Sequence, residues 1–317
     1  MRWRLWLLMA PALALLLAIF AAPLLHYLWL STQAQSVLTG LKPQPIGAQQ
    51  WLRLWNDGRF WQDTWQTLRF SAASVSLEML LGLAVALLLN QPLRGRGLLR
   101  TVSLLPWALP TTVMALGWRW IFNDPYGPIS RLLAGLELPA IPFLSNPALT
   151  WMATVGADTW KTTPFVALLL LAGLQTIPAD LYEAAALEGA TPWQTLRRIT
   201  LPLLTPYLLI TVLFRLAQAL GVFDLIQVLT GGGPASSTES LALYAYLNAM
   251  RFLDFGYAAT LMLGMFALVL GLSALVLLSQ ALRRRQDQRG GQAAGDLGRV
   301  ARSAERGDGD GSEGPVH

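Results

Sequence analysis

The chain has 317 residues, of which 54% are hydrophobic and only 13% charged, a balance outside the range of ordinary soluble domains and one that excludes a soluble enzyme or binding module. There is no cysteine, so disulfides and thiolate metal sites are excluded, and His26 and His317 offer no zinc or nucleophilic constellation. The net charge of +5 does not point to nucleic acid, because the arginines cluster at the ends of apolar runs rather than on one basic face.

Crossing a bilayer takes roughly 20 apolar residues. Runs of that kind lie near residues 5–30, 65–90, 99–122, 150–176, 203–224 and 257–281, which predicts an all-α membrane protein of six transmembrane helices. The first run follows Arg2-x-Arg4 in the manner of a signal peptide, yet it continues through Leu30, beyond the usual apolar region of a cleaved leader. It is expected to stay attached. Arginine placement sets the orientation. Arg2, Arg4, Arg94, Arg96, Arg100, Arg197, Arg198, Arg283, Arg284, Arg285 and Arg289 fall on one side, against Lys42, Arg53, Arg59, Arg131 and Arg251 on the other. Both termini are therefore expected in the cytoplasm.

Residues 1–64 hold the first span and an outer loop punctuated by Trp51, Trp55, Trp61 and Trp65, aromatics expected at the headgroup level. In the second span Glu78 reads as a lone acid, buried against a bundle partner or protonated. Arg69 and Arg119 sit near span ends and can snorkel. The fourth span is interrupted by Asp158-Thr159-Trp160-Lys161-Thr162-Thr163-Pro164-Phe165. Counted from Thr150, Asp158 lies about 12 Å deep and Lys161 about 16 Å. Pro164 can kink this helix.

Between Pro178 and Pro202 the chain turns polar. Asp180 is a plausible N-cap for a helix over 179–188, and Gly189 stops it. Thr191 caps a second helix with Pro192 at its first position, expected to end at Pro202. This predicts a helix, a turn and a helix on the cytoplasmic side. The fifth span follows, with Arg215 about 18 Å along it. Asp158, Lys161, Thr162 and Phe165 share one helical face, and Arg215, Gln218, Ala219 and Val222 another. Polar faces at one depth imply a hydrated cavity, in which Asp158 pairs with Lys161 or Arg215; the competing reading is an ion pair that only fixes packing. Asp224 is expected at the outer interface. The glycine run Thr230-Gly231-Gly232-Gly233-Pro234 permits positive-φ turns but lacks the Gly-Lys-Ser/Thr ending that engages phosphate. No ATP site is expected on this chain. After Leu282 the Arg-, Gly- and Asp-rich segment 283–317 is too poor in apolar residues to order.

Glu183-Ala184-Ala185, then Gly189, then Ile199-x-Leu201-Pro202 is similar to the cytoplasmic loop of binding-protein-dependent ABC importer permeases. The TGGGP-x-x-x-T core at Thr230 to Thr238, with LLGLAVALLLN, RTVSLLPWALP, DTWKTTPF and LAGLQTIPADLYEAA, resembles the maltose and glycerol-phosphate type, specifically the first member of the permease pair. The resemblance covers roughly residues 60–281 and implies the type I importer permease fold, with a permease core over 65–282 and a coupling loop at 178–202. It also implies a bacterial inner-membrane location, a heterodimer with a second permease, two ATP-binding subunits that carry ATP and magnesium, an extracytoplasmic solute-binding protein, and alternating access. It assigns contact with the ATPase subunit to Glu183, Ala184, Ala185 and Gly189. Gly231, Gly232, Gly233 and Pro234 would form a lip against the binding protein, or a plain connector. Aligned without gaps from the coupling loop, the sugar-contact positions fall at Asp158, Lys161, Thr162, Phe165, Arg215, Gln218, Ala219 and Val222, where this chain carries charges in place of neutral polar and aromatic groups. The implied solutes include trehalose, maltodextrins, glucosylglycerol, other oligosaccharides and glycerol phosphate. A proton-coupled secondary transporter, with Asp158 or Glu78 as carrier, is the alternative. It leaves residues 183–202 without a role, and no internal inverted repeat supports it. A membrane enzyme would need paired carboxylates near the surface, for which only Glu183 and Glu188 offer themselves.

Overall fold

A computed structural model describes residues 2–92 and 94–280. A compact unit ends at Val269 and a second unit begins at Leu270, described only to Gln280; the segment expected to be unstructured from 283 lies outside the described residues.

Helix α1 (Arg2–Leu16) runs through a π turn at Leu17–Ala21 into α2 (Ala22–Leu30). A short hairpin follows, β1 (Gln33–Ala34) antiparallel to β2 (Gln44–Pro45). Then come α3 (Gln49–Asn56) and α4 (Gly58–Asn90). The tryptophans expected in an outer loop thus lie on helices, with Trp61 and Trp65 on the first turns of α4. Asp57 begins α4 by accepting from Arg59 N at 2.9 Å, the N-cap bond that satisfies one orphan donor.

The run at 99–122 is not one continuous span. It is divided into α5 (Arg96–Ser103), α6 (Leu105–Ala108) and α7 (Thr111–Ile121). Pro110 is the physical cause. It disfavours helical backbone at Leu109, which sits at φ −70°, ψ 137°. After α8 (Pro128–Gly135) comes α9 (Pro147–Leu174), capped by Asn146 Oδ1, which accepts from Ala148 N and Leu149 N. It continues through Pro164.

Helix α10 (Ala179–Leu187) is bent by 76° from α9. Helix α11 (Pro192–Thr195) continues through a π turn at Leu196–Thr200 into α12 (Leu201–Leu220). Pro202 therefore does not end the helix as expected. Both π turns lie just upstream of a proline, Pro23 or Pro202, where a widened turn accommodates the ring and the missing donor. The remaining helices are α13 (Asp224–Leu229), α14 (Leu241–Met250) and α15 (Phe255–Gln280).

Among the described residues four helical stretches are long and apolar enough to span a membrane: Met9–Leu30, Gly58–Asn90, Pro192–Leu220 and Phe255–Gln280. Pro147–Leu174 joins them when taken with α10, its hydropathy lowered by the polar stretch at its centre. The core is built where α4 lies along α9 and both meet α12. Ala86, Val166, Ala167, Leu170, Leu174 and Leu204 pack together at one end of this contact. A second cluster around Phe70, Ala157, Val222 and Leu225 fills the other.

Candidate functional site

The three packed spans hold a charged cluster between these apolar layers. Arg215 on α12 is 3% exposed and Glu78 on α4 fully buried. Arg215 Nε donates to Glu78 Oε2 at 2.5 Å and Nη2 to Glu78 Oε1 at 2.8 Å. This two-pronged geometry is the strongest pairing available to a guanidinium. A further bond from Nη2 reaches Asp158 Oδ2 on α9 at 3.3 Å, and Nη1 donates to Gln218 Oε1 at 2.6 Å. Ser74 Oγ lies 2.7 Å from Glu78 Oε1 and 2.5 Å from Asp158 Oδ2, bridging the two acids. Thr162 Oγ1 lies 2.6 Å from Glu78 Oε1 and 2.6 Å from its own helix at Asp158 O.

Glu78 is therefore no lone acid, and Asp158 pairs with Arg215, not Lys161. Lys161 points elsewhere, its Nζ donating to Thr111 Oγ1 at 2.7 Å. Ala219 and Val222 are buried, Val222 in the apolar cluster with Phe70 and Leu225. Phe165 stacks on Trp107, with centroids 5.3 Å apart and planes at 17°. Glu78 and Ser74 were missed as members of this site. The one available signal was their spacing of four residues on a mid-span helix face, which puts a hydroxyl beside a costly acid.

The polar segment after α9 folds as a helical hairpin. Asp180 sits in the first turn of α10 but does not cap it; Pro178 occupies that position without a side-chain bond. At the other end Gly189 adopts φ +76°. Gly189 N donates to Ala186 O at 3.1 Å and Ala190 N to Ala185 O at 2.9 Å, a Schellman ending that needs a left-handed residue. Thr191 and Gln194 then cap α11 reciprocally. Tyr182 and Thr200 hydroxyls, 3.2 Å apart, tie the two arms together. Ala185 is buried in the hairpin, whereas Glu183, Ala184 and Gly189 are exposed. Leu187 and Trp193 are 90% and 67% exposed, and a groove of about 490 Å³ runs past Tyr182, Ala186, Pro192 and Trp193. Because a Cβ on Gly189 would meet nothing within 4 Å, Gly189→Ala tests the backbone alone. It is expected to destabilise the hairpin by about 1 kcal/mol, read as faster proteolysis between α10 and α11. An unchanged rate would mean the turn does not depend on its left-handed residue.

In the glycine run, Gly231 and Gly232 take φ of +63° and +89°, while Gly233 does not take positive φ. Thr230 and Thr238 close the loop through their hydroxyls, 2.8 Å apart. Next to it Glu239 accepts from Arg59 Nη2 at 2.6 Å, and Arg53 Nη1 donates to Asp254 Oδ2 at 2.7 Å. Asp57 accepts from the hydroxyls of Tyr244 and Tyr257. Burial pushes the Asp57 carboxyl up, but the tyrosine and backbone donors outweigh it and hold the group below the ordinary carboxylate value. These bonds join α3 and α4 to α14 and the start of α15. Arg69 lies over the Trp151 ring at 4.5 Å, Arg119 donates to Val228 O at 3.2 Å, and Asp224 is exposed in the first turn of α13. Among the described residues no group of acids and histidines is arranged to hold a metal ion.

Residues 78–290 match the family described as "Binding-protein-dependent transport system inner membrane component". The chain is similar to the trehalose/maltose transport system permease protein MalF of Thermococcus litoralis, 41% identical over 88% of this chain and 94% of that protein. It is 37% identical to the sulfoquinovosyl glycerol transport system permease protein SmoG of Agrobacterium fabrum, over 87% of this chain and 93% of that one. Among solved structures, a chain of a bacterial ABC transporter involved in the import of the acidic polysaccharide alginate shares the fold. It superposes with a TM-score of 0.75 at 23% identity, covering 89% of this chain and 96% of that chain.

Proposed function

The chain belongs to the family of binding-protein-dependent transport system inner membrane components, and from that premise we propose that it is the sugar-translocating subunit of an ABC importer. It is a multi-pass membrane protein and a permease, not a member of a catalytic enzyme family. The observation that carries the reading is the hairpin of α10 and α11. Its turn is closed by the Gly189 ending on one side and the Thr191–Gln194 cap on the other, and it leaves Glu183, Ala184 and Gly189 exposed, which suits docking to a partner. The relatives named for trehalose, maltose and sulfoquinovosyl glycerol support a sugar or polyol glycoside as the solute.

In the mechanism, two ATP-binding subunits hydrolyse ATP with magnesium, and this chain contributes motion. Their closure carries the hairpin toward the membrane through Glu183, Ala184, Ala185 and Gly189. A second permease subunit completes the pathway, and an extracytoplasmic binding protein delivers the solute against Gly231, Gly232, Gly233 and Pro234. Solute then passes along α9 and α12 beside Lys161, Phe165 and Gln218, while Asp158, Thr162, Arg215, Ala219 and Val222 lie buried behind them. Both termini are cytoplasmic, in agreement with the arginine distribution. Because α4, α9 and α12 are joined by the Arg215 cluster, they move as one body, and the hairpin, continuous with α12, transmits its displacement directly.

The test is ATP hydrolysis by the reconstituted complex with its partner subunits and binding protein, across a panel of sugars, for wild type and Glu183→Lys. One sugar is expected to stimulate hydrolysis, and Glu183→Lys to lose that stimulation or fail to retain the ATP-binding subunits. Failure of any ATP-binding subunit to associate with the wild-type chain would sink the reading.

A further inference from the structure

One face of the three-helix contact meets the buried cluster at Gln218, whose Oε1 accepts from Arg215 Nη1 at 2.6 Å while its amide nitrogen is left free among the described residues. Lys161 on α9 reaches across to Thr111 on α7. One helical turn along α9, Phe165 stacks on Trp107 of α6, and its other neighbour is Phe214 of α12, with centroids 5.3 Å apart. Phe214 lies four residues from Gln218 on the same face of α12. The side chains therefore fall into two tiers separated by about 6 Å, the rise of four helical residues. Lys161, Thr111 and Gln218 form a polar tier. Trp107, Phe165 and Phe214 form an aromatic one.

Two observations argue that this face is turned away from lipid. Lys161 lies near the middle of its span, where a lysine directed at hydrocarbon is costly. Beside it, Leu109 and Pro110 have extended backbone and exposed side chains. Non-helical backbone at membrane depth is tolerated only where protein buries it or where it lines a water-filled cavity. Trp107 and Phe214 are 44% and 49% exposed, so they cover Phe165 while leaving their own outer faces open.

We propose that Trp107 and Phe214 are specificity-determining residues, forming a stacking wall for a pyranose ring whose hydroxyls are met by Lys161, Thr111 and Gln218. The assignment rests on the sugar-permease reading above. A pyranose presents apolar C–H faces and a rim of hydroxyls, which matches an aromatic tier stepped against donors and an amide. The break between α6 and α7 gains a purpose from this. A continuous helix would carry Trp107 and Thr111 at i, i+4 on one regular face, whereas the extended Leu109–Pro110 step resets the direction of α7 and lets both reach α9.

The experiment is uptake of radiolabelled trehalose, maltose and glycerol phosphate into proteoliposomes holding the full complex and its binding protein. Trp107→Leu and Phe214→Leu are expected to raise the half-saturating sugar concentration about tenfold, the scale of one lost aromatic contact, with maximal rate largely retained. Trp107→Phe should recover most of the loss. Trp120→Leu, an exposed tryptophan outside the two tiers, should match wild type. A wild-type half-saturation value in both leucine variants, or a loss in Trp107→Phe equal to that in Trp107→Leu, overturns the stacking role. Transport of glycerol phosphate alone, or of none of these solutes by the wild-type complex, overturns the sugar reading and the wall with it.

Discussion

Arg215→Ala should lower the unfolding free energy by about 3–5 kcal/mol, the cost of leaving a buried charge without its partner. Arg215 is the only cation in contact with either Glu78 or Asp158 among the described residues, and both acids are buried. Removing it strands two carboxylates around Ser74 and Thr162, hydroxyls too few to replace the donors the guanidinium supplies. The vacated volume adds a cavity at the meeting of three helices. Arg215→Lys should recover only part of the loss, because an ammonium cannot donate to both Glu78 oxygens in the fork geometry. Thermal unfolding of the purified protein reads the effect. The combined replacement Glu78→Leu, Asp158→Leu, Arg215→Met is expected to regain most of the stability, since apolar substitutes of similar volume often equal a buried ion network. If Arg215→Ala unfolds within about 1 kcal/mol of wild type, the cluster is hydrated like a surface pair, and the rigid-body account of α4, α9 and α12 fails.

Gly82→Ala is expected to cost about 1–3 kcal/mol by overpacking. A methyl at Gly82 would sit 2.5 Å from Val166 Cγ1, 2.9 Å from Val166 Cβ and 3.2 Å from Ala167 N. The last two belong to or lie next to the backbone of α9, so rotating a side chain cannot relieve them. Gly82 and Ala86 are one turn apart on α4, the small-residue pattern that lets helices approach closely in membranes. Adding Val166→Ala removes the nearest atom but not the Cβ, so partial recovery is expected. Full tolerance of Gly82→Ala in the same unfolding assay would show that the two helices can separate at no cost, contrary to a contact built on close packing.

The two substitutions probe different layers of one interface, and they differ in how legible they were. The spacing of Gly82 and Ala86 marks one side of α4 as able to approach another helix closely, but it does not say which helix that is. The turn at Gly189 was legible. Its left-handed conformation, the Thr191 cap and Pro192 at the first helical position are local physics, decided within a few residues. Asp180 was misread as a cap because Pro178 already supplies the extended backbone that starts the helix. The expected end at Pro202 does not occur because the turn at Leu196–Thr200 widens just before it and accommodates the ring, so α11 runs on into α12.

What the sequence determined by itself follows from composition and short-range periodicity: a membrane protein, the apolar runs, the capped hairpin, and polar residues at matching depths on the fourth and fifth spans. Hydropathy and capping depend on neighbours along the chain, so they are written there. Which groups meet depends on packing between distant spans. Glu78 and Arg215 are 137 positions apart, and the depth count placed Lys161 as near to Asp158 as Arg215. The choice of Arg215 came from the packing of α4 against α9 and α12, which turns the Glu78 face inward and leaves Lys161 on the side where α7 supplies Thr111. Rotation of each helix about its own axis is set by close packing with its neighbours, a property of three surfaces together that no single stretch of sequence contains.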